Sequence, residues 1–164
     1  MALTITWDEY NGAGQSKSDS ITAITLGSLD DSDFTIASYP ITAGDCSFGK
    51  YIKVDFSGMV GEGVTEVQNT RIHKSAGAYK ADEDLTFHGL GPVTYATPSE
   101  VDLTDTTIPI SLPGSQNLGL SASDTGVLVA DGQSDYGRFQ ITTSASTENG
   151  ALNAKTITVT YDTI

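Results

Sequence analysis

Any chemistry in this chain must come from a short list of reactive side chains. There are two histidines, His73 and His88, one cysteine, Cys46, and three acidic clusters: Asp30/Asp31/Asp33, Asp82/Glu83/Asp84 and Asp131/Asp135. A serine nucleophile needs a sharp turn that presents its hydroxyl, with a histidine within hydrogen-bond reach. The chain has no Gly-x-Ser-x-Gly, and neither histidine stands in a recognisable catalytic context. No Lys, Arg or His flanks Cys46 in Gly44-Asp-Cys-Ser-Phe48 to lower the thiol pKa, so the residue reads as a small apolar side chain ahead of a strand. As the only cysteine it can form neither an intramolecular disulfide nor a cysteine zinc cluster.

The acidic clusters invite a calcium reading, because calcium takes about six to eight oxygen ligands. None has the Asp-x-Asp-x-Asp-Gly spacing with a distal Glu, so solvated turns are expected. Glycoside hydrolysis needs two carboxylates opposed across a cleft, which spacing on loops does not supply. Gly61-Glu-Gly63 and Gly89-Leu-Gly91 lack the third glycine and the Lys-Ser/Thr of a phosphate loop. Trp7 alternates with Leu3 and Ile5 and reads as core, while the seven tyrosines are spread along the chain and mark no sugar-stacking platform. The expectation is a protein without catalytic, cofactor-binding or metal-binding residues.

The elements that carry these residues are strands. Leu3–Trp7 alternates apolar and polar, and Phe48–Phe56 places Phe48, Ile52, Val54 and Phe56 on one face and Tyr51, Lys53 and Asp55 on the other. Lys50 falls on the apolar face, with its ammonium expected beyond the rim of the core. Further strands are predicted at Ile21–Leu26, Phe34–Ile41, Thr65–His73, Leu85–His88, Pro92–Ala96, Ile108–Leu112 and Gly126–Ala130, with Lys74–Asp84 a surface excursion. Arg138–Ser144 and Lys155–Asp162 both alternate; Asn149-Gly150 in their linker suggests an antiparallel pair. Pro98–Leu103 has room for one helical turn. With 164 residues, 17 glycines and about nine short strands, the pattern predicts an all-β fold. It is an antiparallel β-sandwich, jelly-roll-like or Ig-like, in a single domain covering residues 1–164.

Charge narrows the partners. A formal net charge of −13, with only eight Lys and Arg, repels phosphate backbones and anionic lipid headgroups. Nucleic acid and membrane are therefore not expected partners; the acidic surface reads first as a solubility feature, with a cationic partner surface the sharper alternative. No leader and no run of about 20 apolar residues is visible. A composition suited to the outside of cells, without an export signal, fits a protein made in a host cytoplasm that leaves by assembly and lysis.

A resemblance points the same way. Tyr39-Pro-Ile-Thr-Ala-Gly-Asp-Cys-Ser-Phe-Gly-Lys-Tyr-Ile52, Asp55-Phe-Ser-Gly58, Arg71-Ile-His-Lys-Ser-Ala-Gly77, Tyr95-Ala-Thr-Pro-Ser99, Tyr136-Gly-Arg-Phe-Gln140 and Lys155-Thr-Ile-Thr-Val-Thr-Tyr-Asp162 together resemble the small β-rich virion structural proteins of tailed phages. The resemblance implies a virion component and carries over no site residues. A capsid decoration (cement) protein is the first expectation, located on the outer virion surface. Its partners would be the major capsid protein or other virion proteins, and further copies of itself in a homo-oligomer. A tail, neck or fibre-associated protein is the alternative within the virion; an exported carbohydrate-binding or adhesin domain is the alternative of another class.

Overall fold

Alternation alone sorts side chains to two faces, and the strand at the middle of the sheet has both faces to fill. The computed structural model describes residues 3–147 and 152–164 and shows an all-β, antiparallel sandwich. Its strands are β1 Thr4–Asn11, β2 Ser16–Ser18, β3 Lys50–Ser57, β4 Val67–Ala76, β5 Glu83–Val93, β6 Thr106–Thr107, β7 Gly132–Gln133, β8 Tyr136–Thr143 and β9 Thr156–Thr163. Seven of them form one sheet in the order β2-β1-β3-β8-β5-β6, with β7 pairing the far half of β3; β4 and β9 form a second, two-stranded sheet. β1 pairs β3 from Thr4↔Ser57 to Tyr10↔Tyr51, which puts Ile5, Trp7, Glu9 and Asn11 on the same face as Lys50, Ile52, Val54 and Phe56. The core lies between that face and the β4–β9 layer. Ile52, Val54, Phe56, Leu85, Phe87, Phe139 and Ile141 from the large sheet meet Val67, Ile72, Ile157, Val159 and Tyr161. Phe56 and Tyr161 touch edge to face at 5.4 Å.

The opposite face of the large sheet is also covered. Residues 94–105, with no regular structure, run across it. Gly49 N–H donates to Ser99 O at 3.1 Å, Gln140 Nε2 to Val101 O at 2.9 Å, and Leu103 N–H to Gln140 Oε1 at 3.1 Å. Tyr51 is consequently buried rather than facing solvent. It joins Tyr10, Tyr95 and Tyr136 in a cluster with ring centroids 4.8–6.0 Å apart.

Several expected elements take other forms. Ile21–Leu26 is not a strand. Ser20 adopts a left-handed φ of 53°, its N–H held by Asp8 Oδ1 at 3.0 Å, and this turns the chain off the β1 edge after one bond from Ile21 N–H to Trp7 O. Phe34–Ile41 is a loop around a 3-10 turn, Ile36–Ser38, closed by Ser28 N–H to Tyr39 O. The closure brings Tyr39 O so near Gly27 that a Cβ there would lie 2.6 Å from it. Ile108–Leu112 leaves the sheet after β6 because Pro109 has no N–H for the ladder, while its carbonyl accepts from Lys74. Gly126–Ala130 contributes only the isolated bridge of Leu128 to Val67. β5 ends at Val93, so Thr94–Ala96 is not strand. The α-helical turn among the described residues is Met59–Glu62 (α1), not Pro98–Leu103.

Two packing expectations also change. β8 and β9 are not a pair: β3 and β5 occupy both edges of β8, and β9 crosses to the other layer to pair β4. The Asn149-Gly150 turn lies outside the described residues. The surface excursion is anchored at both ends, since Lys74 and Glu83 are buried. Among the described residues no helix is long and apolar enough to cross a membrane.

Two measurements follow from this packing. Ser121 and Ala122 both have left-handed φ, 55° and 56°, in the two-residue turn that pairs Leu120 with Ser123. A glycine relieves the Cβ clash there, so Ala122→Gly should stabilise by about 0.5–1 kcal/mol in urea unfolding, while Gly126→Ala, whose Cβ would lie 1.8 Å from Leu120 O, should destabilise strongly. Burial, then nearby acidic charge, pushes the Tyr79 and Tyr95 phenols from 10.0 to about 12. A phenol held protonated in the fold stabilises it below pH 10.0 and loses that contribution as the pH rises to about 12. Alkaline unfolding should start in that window, and phenolate absorbance should show two tyrosines lagging the rest.

Candidate functional site

Where the chain leaves β1 at Ser20, it does not return to the sheet until Cys46 bridges Thr142. The intervening loops stand over one end of the core and enclose an apolar groove of about 1110 Å³ that opens to solvent. Its floor is Trp7, Phe139 and Ile141 from the large sheet; Ile24 and Ile41 come from the loops and Ile157 from β9. The volume exceeds a tightly filled core and matches the upper range of natural binding clefts.

Two strand edges have stretches without backbone partners among the described residues, and one of them, β9, lines the groove at Thr156 and Ile157. β9 pairs β4 on one side only, and among the described residues Thr156–Thr163 makes no backbone hydrogen bond along its other side. β1 is covered by β2 only over Glu9–Asn11, so among the described residues Thr4–Thr6 is also open outward of β3. Leu3, Ile5, Trp7, Ile157, Val159 and Tyr161 are only partly buried, and they form an apolar seam between the two edges. Unpaired edges of this kind are templates for an added strand.

Buried charge meets the groove at Lys155, which is part of its lining. Glu83 and Lys155 form an ion pair with side chains 0% and 5% exposed. The second Glu83 oxygen accepts from Lys80 N–H at 2.8 Å. Tyr79 lies between Lys155, 5.2 Å from its ring centroid, and Lys74, 4.7 Å away on its own contact; Lys74 Nζ also donates to Gly77 O. Beyond Trp7 on β1, Lys50 is fully buried instead of reaching past the rim. Its Nζ donates to Asn11 Oδ1 at 3.1 Å and Asp31 O at 2.6 Å and sits 3.4 Å from Glu9 Oε1. Half of the six lysines are thus engaged inside the fold, two of them against equally buried carboxylates, Glu83 and Glu9.

The candidate residues of the sequence do not converge. His73 is on the outward side of β4, opposite Thr158. His88 is on the outer face of the large sheet, its Nδ1 3.2 Å from Asp105, whose carboxylate is gripped by Arg138 at 2.8 and 2.6 Å. Cys46 is half-buried, and desolvation, followed by the charges of Asp102 and Asp45, pushes its thiol pKa up. The carboxylates serve as hydrogen-bond acceptors within the fold. Asp30 takes Gly12 N–H, Asp31 takes Asp33 N–H, Asp82 takes the Ser146 hydroxyl and Asp135 takes Ala122 N–H. Asp131 takes Gly58 and Met59 N–H, which lower its pKa. No group of three or more His, Cys, Asp or Glu side chains among the described residues is arranged to hold a metal.

Sequence reasoning missed two features. Alternation in Ile21–Leu26 suggested a strand and hid the groove wall. The tyrosines, scattered in sequence, are gathered by the β1–β3–β8 register, with Lys53 Nζ 4.4 Å from the Tyr136 centroid. No protein-family model, curated protein or solved structure matches this chain.

The ion pair at the groove end gives a measurable stability difference. Glu83→Gln or Lys155→Met alone leaves a buried charge unmatched and should cost about 3–5 kcal/mol, while the double variant should recover most of it. Urea unfolding of the four proteins checks this as a double-mutant cycle.

Proposed function

We propose that this chain is a non-catalytic virion structural protein of a tailed phage, a decoration protein that cements the outer face of the head. The supporting observation is the apolar groove with the open edge of β9 in its lining. An extended segment of a neighbouring shell protein can add to such an edge through its backbone and set alternate apolar side chains into the groove. An acidic exterior favours a basic partner surface and is unsuited to contact with packaged DNA. The resemblance of its strand-and-turn segments to tailed-phage virion proteins supports the same reading. The partners are the major capsid protein and further copies of this chain, without nucleic acid or membrane. The protein acts on the outer virion surface after synthesis in the host cytoplasm.

The tyrosine cluster is the observation that favours a second reading, an exported carbohydrate-binding or adhesin domain. The rings engage each other, Lys53 covers Tyr136, and Tyr95 and Tyr136 hydroxyls are bonded to Gly12 O and Gln15. Sugar stacking needs open ring faces, which this internal packing leaves few of.

The test is occupancy. Mass spectrometry of purified virions should find this chain in copy numbers comparable to the major capsid protein. Ala23→Trp with Ala43→Trp, two groove-lining positions, should weaken rebinding to stripped heads by about tenfold or more with the melting temperature unchanged. A few copies per particle would replace decoration by a tail, neck or fibre role, and glycan binding without virion association would favour the adhesin reading.

A further inference from the structure

A sandwich must deal with every strand edge that it leaves unpaired. In the large sheet the outermost strands are short: β2 has three residues with Lys17 in the middle, and β6 has two, with Pro109 just beyond. The outer edge of β4 is capped along its length. Val67 exchanges both backbone bonds with Leu128, the Asn117 side chain accepts from Ile72 N–H and donates to Ile72 O, and Lys74 N–H donates to Pro109 O. Among the described residues β9 has none of these protections. Thr156–Thr163 contains no Pro, Gly or Lys, and up to Asp162 it alternates Thr with Ile, Val and Tyr, types that suit a strand. Both bulges of the β4–β9 pair put the extra residue in β4, so β9 itself runs unbroken. Ile164 and Glu66 exchange backbone bonds at 3.0 and 3.2 Å. By alternation Asp162, Thr160 and Thr158 also turn their N–H and C=O toward β4, while Thr163, Tyr161, Val159 and Ile157 turn theirs outward. Charge does not forbid an approach here, although the chain carries −13: Asp162 is the one charged side chain of β9, and Arg71 pairs it at 3.0 Å.

We propose that β9 pairs antiparallel with β9 of a second copy of this chain, about a two-fold axis at Thr160, joining the two β4–β9 layers into one continuous sheet. The strand is self-complementary in that register. Ile157 lies opposite the partner's Thr163 and Val159 opposite the partner's Tyr161, and these are the residues whose backbone groups already point outward. On the inner face Val159 and Tyr161 make the aromatic to β-branched pairs that stabilise antiparallel strands. On the outer face Thr160 meets its own copy and Asp162 meets Thr158, which keeps the two carboxylates apart. Centring the axis on Val159 would leave Thr163 with no strand residue opposite. The inference concerns contact of the chain with itself and stands whether or not the protein decorates a phage head. It assigns the strand added along β9 to a second copy, while the groove, which β9 meets only at Thr156 and Ile157, keeps its floor and loop wall for a shell protein.

Sedimentation equilibrium of the full chain between micromolar and millimolar concentration should show a dimer, twice 17.2 kDa. Thr160→Glu puts a carboxylate beside Arg71 in one chain but opposite its own copy in the dimer. It should weaken association by about tenfold or more and leave the melting temperature of the dilute monomer unchanged. Cross-linking tests the register. In a Cys46→Ala background, Thr160→Cys should close an intermolecular disulfide on mild oxidation, because opposite residues of a non-hydrogen-bonded pair have Cα atoms about 4.5 Å apart. Thr158→Cys, opposite Asp162, should not. Ala23→Trp with Ala43→Trp, which fills the groove, should remain dimeric, so that failure of this interface and failure of the groove reading are told apart. A wild-type chain that stays monomeric over the whole range would overturn the proposal without requiring any variant to fold. So would a dimer indifferent to Thr160→Glu, a dimer lost on filling the groove, or cross-linking as fast at Thr158 as at Thr160.

Discussion

The rest of the structure depends on the burial of β3 on both faces and along both edges. β1 takes one edge, β8 and β7 divide the other, the β4–β9 layer covers one face, and residues 94–105 cover the opposite face. A strand placed this way has no position for an exposed side chain, so even Lys50 is drawn inside. Its ammonium must then be solvated by protein, and the Asn11 side chain and Asp31 carbonyl do this. The cost of isolating that charge explains why the irregular chain after Gly27 is held against the sheet at all.

The sandwich is uneven, with seven strands in one layer and two in the other. A two-stranded layer cannot cover the whole face of a seven-stranded sheet, and loops stand in where strands are missing. Loops pack less regularly than a second sheet, because their backbone must satisfy its own polar groups while also presenting apolar side chains. The groove under residues 21–43 is the outcome of that conflict, and the open edge of β9 is part of its lining.

Charge is partitioned between inside and outside. Lys50, Lys74 and Lys155 are committed to buried carboxylates, carbonyls and a tyrosine ring, and Arg138 is clamped on Asp105. Because Lys50, Lys155 and Arg138 are matched by the buried Glu9, Glu83 and Asp105, the surface keeps the acidic balance of the composition, whose field acts over about one Debye length of roughly 8 Å at physiological salt. The interior lysines and the acidic exterior are two aspects of one sequence composition.

The sequence by itself determined the class of fold, because period-two alternation in Leu3–Trp7, Phe48–Phe56, Arg138–Ser144 and Lys155–Asp162 is a local property that survives in β1, β3, β8 and β9. It also determined that Trp7 and Phe139 face the core. Which strands pair was decided only by tertiary structure. Residues 138–144 and 155–162 are equally suited to each other in pattern, but β8 gains more by filling both its edges with β3 and β5. The same holds for the tyrosine cluster, in which register aligns Tyr10, Tyr51 and Tyr136 and the irregular segment 94–105 adds Tyr95, and for Lys50. Its neighbours Glu9, Asn11 and Asp31 are distant in sequence, and only the folded sheet sets them around one ammonium. Ile21–Leu26 failed as a strand for a related reason. A strand requires a free edge to pair with, and the left-handed turn at Ser20 carried the chain away from the β1 edge beside it.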